Sequence, residues 1–182
     1  MWAESKATSD DMTPEKRERI GKLADTVRKA LNLRTPTTIP DLERAVKALG
    51  GQIVDAEQFG HEASIRKTRE GFEIALDRTK APTRQLFSLG HELGHLFVDL
   101  GFANPEVWRN QTEYVESYAR SGYDEEEFVA HEFAASLLMP RDEFTKLVHA
   151  EKRPLADVAK YFGVSHEAAL MRGRWLGILP WS

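Results

Sequence analysis

Leu86, Leu89, Leu93, Leu96, Phe97 and Leu100 recur at helical spacing between Thr83 and Leu100, and Gly101 ends the run. Such a stretch becomes a helix with one apolar face, and the rest of the chain must supply elements that cover it. Inside the run stands His91-Glu92-Leu93-Gly94-His95. Residues i and i+4 lie one turn apart on the same helical face. Two imidazoles placed so can meet one metal ion, while the adjacent glutamate can take a proton from water held there. At about 100° per residue, the histidine pair points roughly opposite the mean direction of the leucines. Four of the six histidines are followed by Glu (His61, His91, His131 and His166), yet only His91 has a second His at i+4. Gly90 and Gly94 each cost about 1 kcal/mol relative to Ala in a helix interior. Both sit beside the histidines, where a missing side chain permits close approach of a neighbouring element. The plain alternative is a surface helix with an incidental His pair.

The chain has no cysteine, which removes disulfides, thiol nucleophiles, iron–sulfur clusters and Cys-based zinc fingers together. A metal must then be held by His, Asp or Glu. At 182 residues, there is enough chain for one compact domain or one domain with a small appendage. A net charge of −4 argues against a protein whose main task is coating nucleic acid. The hydrophobic fraction of 41% and charged fraction of 30% fit an ordinary globular protein. No run approaches the ~18 apolar residues of a membrane span. Met1 to Thr13 is polar and lacks the apolar stretch of a signal peptide, so the cytoplasm is the expected compartment and no membrane partner is expected.

The organisation reads as a polar leader over 1–12, a main domain over 13–140 and a helical extension over 141–182. Thr13-Pro14 reads as an N-cap and first helical position, followed by Ile20, Leu23, Val27 and Leu31 at helical spacing. A Pro-rich connector, 35–40, leads to a second helix from about Asp41 with Leu42, Ala45, Val46 and Leu49 on one face. The period then changes. Gln52–Asp55, about Glu62–Arg66 and Phe72–Asp77 read as three strands of a small antiparallel or mixed sheet, with a turn at Arg69-Glu70-Gly71. Asn104–Gly122 is polar and aromatic-rich, and Asp124–Met139 is a strong helix closed by Pro140. The expected class is α+β: mostly helical, with the small sheet packed beside the histidine helix.

An open catalytic zinc site needs a third protein ligand. Glu125, Glu126, Glu127 and His131 on the Asp124–Met139 helix are all candidates, and spacing does not choose among them. Glu127 has a second explanation, since Asp124-x-x-Glu127 would serve as a capping box.

Phe87-Ser88-Leu89-Gly90-His91-Glu92-Leu93-Gly94-His95-Leu96, together with Glu127-Phe128-Val129-Ala130-His131-Glu132-Phe133-Ala134-Ala135-Ser136-Leu137-Leu138-Met139-Pro140, closely resembles the ImmA/IrrE family of zincin-like metallo-endopeptidases. That family pairs an H-E-x-G-H-type helix with a second helix patterned E-x-x-A-N-x-F-A-A-x-L-L-M-P. The similarity covers about Thr13 to Leu179. It implies zinc (Zn2+) held by His91, His95 and Glu127, with Glu92 as the general base. It also implies a protein substrate, a helix–turn–helix transcriptional repressor whose cleavage derepresses genes. One position departs: the family's usual Asn is His131 here, one turn after Glu127. His131 is therefore a candidate to face the metal, orient Glu127 or stabilise an oxyanion. Tyr114, Tyr118 and Tyr123 are further oxyanion candidates, although Tyr is more often a packing residue. Phe72–Asp77 is the candidate sheet edge along which substrate would add as a strand.

The tail carries a rival reading. Leu155-x-x-Val158-x-x-x-Phe162-Gly163-Val164-Ser165, then Ala168, Ala169 and Leu170, has helix–turn–helix spacing, with Arg172 and Arg174 as positive charge. A DNA-binding regulator with the metal site as sensor is the alternative. Against it stand Glu167 early in the second helix, the acidic chain and the apolar Trp175, Leu176, Ile178 and Leu179. Direct DNA binding is the weaker expectation.

Overall fold

The Oγ1 of Thr13 accepts the Lys16 amide at 3.2 Å and Pro14 occupies the first turn, so helix α1 runs Pro14–Ala30 as the sequence pattern predicts. The computed structural model describes residues 12–56, 63–111 and 125–181. Helix α2, Ile39–Ala48, begins two residues before its predicted start. The reason is a reciprocal capping box: Thr38 and Asp41 each satisfy the other's backbone amide, and Pro40 is tolerated in the first turn. Leu42, Ala45 and Val46 are buried, the face that the spacing marked.

Strands β1 (Gly51–Asp55), β2 (Ala63–Lys67) and β3 (Phe72–Leu76) form one sheet in the order β1-β3-β2. β1 runs parallel to β3 with Ile53 beside Ile74, and β2 runs antiparallel with Ile65 beside Ile74, so the sheet is mixed. This corrects one expectation: the segment read as a substrate-accepting edge is the central strand. Phe72, Ile74, Ala75 and Leu76 are all buried, a nearly continuous apolar run that marks a strand flanked on both sides rather than an edge. Within the described sheet the free edges belong to β1 and β2.

Helix α3, Pro82–Gly94, packs on α2, β2 and β3 and carries the histidine motif into a π-helical turn at His95–Asp99. Short α4, Pro105–Asn110, follows, and α5, Glu125–Leu138, packs against both α3 and α1. Leu89, Leu93 and Leu96 from the leucine stripe and Phe133, Leu137 and Leu138 from α5 are fully buried in one cluster. Burying such side chains contributes about 1.5–3 kcal/mol each.

After α6, Arg141–Thr145, and a second π-helical turn, Lys146–Ala150, the tail forms α7, Leu155–Phe162, and α8, His166–Trp175. Gly163 joins them with φ of 68°, a left-handed backbone that other residues adopt only with strain. Val158, Phe162 and Ala169 enter the same buried cluster as α3 and α5. The two arginines proposed as DNA contacts are engaged within the protein. Arg172 is 5% exposed; its Nη1 donates to Glu132 Oε1 at 2.9 Å and its Nε to the Met139 carbonyl at 3.1 Å. The Nε of Arg174 donates to the Pro180 carbonyl at 3.0 Å. Among the described residues no helix is long and apolar enough to cross a membrane.

Candidate metal centre

The approach of α3 to α5 is set by glycine. A Cβ on Gly94 would stand 2.9 Å from Ala130 Cα and 3.0 Å from the Ala130 carbonyl oxygen, whereas one on Gly90 would meet Ala134 Cβ at 3.4 Å. Both backbones are helical, so space rather than conformation requires Gly at position 94. Gly94→Ala is expected to destabilise the protein by about 1–3 kcal/mol despite the better helix propensity of alanine, because two backbones must part. Gly90→Ala should be close to neutral. Thermal unfolding of the two variants checks the contrast, and equal melting temperatures would refute it.

This close crossing brings three side chains together. His95 Nε2 lies 3.0 Å from His91 Nε2, and Glu127 places Oε2 3.2 Å from His91 Nε2 and Oε1 3.3 Å from His95 Nε2. Tetrahedral ligands at metal distances of about 2.0–2.1 Å stand about 3.3 Å apart, so these three donors are spaced as a shared cation requires. His91, Glu127 and His131 also form a group whose donor atoms lie within 4.8 Å of one another. The two triads share His91 and Glu127, and the first is the tighter. The Glu127 side chain faces the histidines, whatever part it plays in capping; Asp124 lies outside the described residues.

Glu92 is 4% exposed, and its Oε2 has no hydrogen-bond partner among the described residues; the same holds for His91 Nδ1. A buried carboxylate oxygen without a partner costs stability unless water or a ligand meets it. Burial pushes the Glu92 carboxyl up to about 7, with a further rise from Glu127 and an opposing pull from His95. Burial also lowers His91, partly offset by Glu127. For Glu127 burial would raise the carboxyl, but hydrogen bonds from His91 and His95 outweigh it and hold it well below the usual carboxylate range.

His95 is only 2% exposed, so the face opposite the leucine stripe is covered by α5 rather than open to solvent. Its Nδ1 is hydrogen-bonded to Asp99 Oδ2, at the end of the π-helical turn. Burial works against charge on this ring, yet Asp99 and Glu127 raise it to about 10. Asp99 was missed in the sequence; its signal was the i+4 spacing from His95, the same spacing that picked out the histidines. A metal ligand whose other nitrogen is held by a carboxylate has its orientation set.

A metal must displace the proton that His95 carries in the metal-free protein. Divalent-metal affinity is therefore expected to rise about tenfold per pH unit above about pH 7 and up to pH 9, with one proton released per ion through this group. Chelator competition at several pH values measures the slope, and a flat profile would refute it.

His131 is exposed, and its ring lies 4.5 Å from that of His91 at 72°. Its Nδ1–H donates to the Glu127 main-chain carbonyl at 2.7 Å, which leaves Nε2 as the nitrogen that can face the centre. The lone pair on Nε2 then suits a metal or a substrate N–H; it serves an oxyanion only when protonated. Tyr114, Tyr118 and Tyr123 lie outside the described residues.

Two histidines one turn apart, a carboxylate from a crossing helix and a buried unpartnered acid beside them form a donor set compatible with a metal site. The family model of the IrrE N-terminal-like domain, Peptidase M78, matches residues 54–173, and the chain belongs to that family. The matched span holds the end of β1, all of β2 and β3, both site helices and most of α8. No curated relative is similar enough to count as a match. A solved Mycobacterium tuberculosis transcriptional regulator shares the fold, with TM-score 0.63 at 15% identity. The alignment covers 89% of this chain and 49% of that one, so the chain spans about half the length of that protein.

Proposed function

We propose that the protein is a zinc-dependent endopeptidase that cleaves a helix–turn–helix transcriptional repressor in the cytoplasm. The observation that carries the catalytic part is the buried Glu92 oxygen without a partner, set beside three donors spaced for one cation. A purely structural metal site has no use for such an acid. His91, His95 and Glu127 would hold the ion, with Asp99 orienting His95. Nitrogen and oxygen ligands without thiolate suit an open catalytic zinc rather than a closed structural one. Zinc, when bound, supplies Lewis-acid polarisation of the scissile carbonyl and acidifies water.

The remaining chemistry belongs to the chain. Glu92 accepts the proton of the attacking water at its unpartnered oxygen and returns it to the amide nitrogen as the C–N bond breaks. A pKa raised by burial makes the carboxyl a stronger base than a solvated glutamate, and a neighbouring dication favours its ionised form. The family and the fold shared with a transcriptional regulator support a place in gene control. Co-expression with a helix–turn–helix repressor tests the substrate. Disappearance of the repressor with wild type but not with Glu92→Gln is expected; equal loss with both would falsify the reading.

A further inference from the structure

A cavity of 820 Å³ adjoins the metal centre, and Glu127 and His131 are among its lining residues. Its apolar walls include Phe87 on α3, Phe128 on α5, and Met171 and Trp175 on α8, with Met12 and Arg17 of the α1 region also lining it. Trp181 packs edge-on against Trp175, with ring centroids 4.4 Å apart, and stands half exposed at the rim. The size falls in the range of ligand sites, about 300–1,000 Å³.

The charges around it are balanced. Arg17, Arg84 and Arg172 are matched in number by Glu127, Glu132 and Glu167. Arg172 is bonded to Glu132, and the Arg17 guanidinium lies 3.3 Å from the centroid of the Trp175 ring. Glu127 faces His91 and His95. An ionic side chain entering here would therefore find no surplus of opposite charge, while an aromatic one would meet phenyl, indole and thioether surfaces.

From this we infer that the cavity is the specificity pocket of the peptidase, taking a large aromatic side chain of the substrate next to the scissile bond. The proposal rests on the peptidase reading above. It gives α8 a role in substrate selection, because the chain's last helix supplies one wall of the pocket. His131, whose ring is 4.5 Å from that of His91, and Phe87, 5.8 Å from His131, both line the cavity where it adjoins the centre.

The test uses zinc-loaded, full-length protein and succinyl hydroxamates that share one zinc-binding head and differ in one side chain: methyl, isobutyl or benzyl. Calorimetric titration is expected to show the benzyl compound binding about tenfold or more tighter than the methyl one, from the extra apolar area buried. Ala168→Trp, which fills the cavity from α8, should bring that ratio to about one. Met171→Ala, which enlarges it, should shift the optimum to a naphthyl side chain, so the reading does not hang on one variant. Zinc content and melting temperature establish that each variant is loaded and folded. A parallel NMR titration compares N-acetyl-phenylalaninamide with N-acetyl-alaninamide, which need no metal for binding. Hydroxamates that bind with no side-chain preference overturn the pocket alone. Absence of hydroxamate binding, with the phenylalanine amide still preferred, overturns the open-zinc reading and the substrate assignment with it. No preference in either titration overturns the pocket outright.

Discussion

Replacing Glu92 by glutamine is expected to lower peptide-bond cleavage by about 10²–10⁴-fold, the usual worth of a positioned general base, while zinc stays bound in full. Glutamine keeps the shape of the side chain and its place between the histidines, but its amide accepts no proton. The same substitution should reveal itself in stability. In the native metal-free protein the Glu92 carboxyl titrates at about 7 instead of its ordinary 4.5. A raised acid favours its protonated form in the fold, so ionisation costs the wild type stability as pH rises from 4.5 to about 7, and the cost is complete above that. Glutamine carries no such cost. The metal-free variant should therefore be the more stable of the two above pH 7, with the gap closing toward pH 4.5. Metal analysis, single-substrate kinetics and unfolding at three pH values check the three parts. A variant that loses both activity and zinc would show instead that Glu92 shapes the metal site.

The second large effect concerns the third donor. Glu127→Ala should weaken zinc binding by at least about 100-fold, more than the loss of an outer partner produces, because it removes the only carboxylate that touches both histidine Nε2 atoms among the described residues. His131→Ala should leave zinc content unchanged, since its Nδ1 is engaged by a main-chain carbonyl and its ring stands outside the tight triad. Zinc stoichiometry after dialysis against a chelator separates the two. Full zinc in Glu127→Ala with loss in His131→Ala would transfer the ligand role to His131.

Much of this centre was legible along the chain because it obeys a local rule. His91, Glu92 and His95 lie on one helix, and i,i+4 spacing is a property of the helix itself. Asp99 was legible by the same rule, once the carboxylate after the second histidine is sought. Glu127 is different. Four residues of its helix were candidates by type, and the resemblance of two segments to a known family singled it out. The strand order was also beyond local reading. Phe72–Leu76 was recognisable as a strand, but its place at the centre depends on β1 and β2 pairing with opposite sides, a long-range choice that alternation alone does not encode.

Arg172 makes the same point. Its position on a short C-terminal helix suggested a solvent-facing cation for DNA, while Glu132, forty residues earlier, draws it into the interior. By itself the sequence determined the longer helices, the histidine pair with its acid and the absence of any thiolate ligand. Those follow from periodicity and side-chain chemistry, which act over a few residues. The tertiary structure decided which carboxylate meets the histidines, how closely α5 approaches Gly94 and what α8 encloses. Each depends on packing between segments distant in the chain, where one added methyl or one matched charge changes which surfaces can meet.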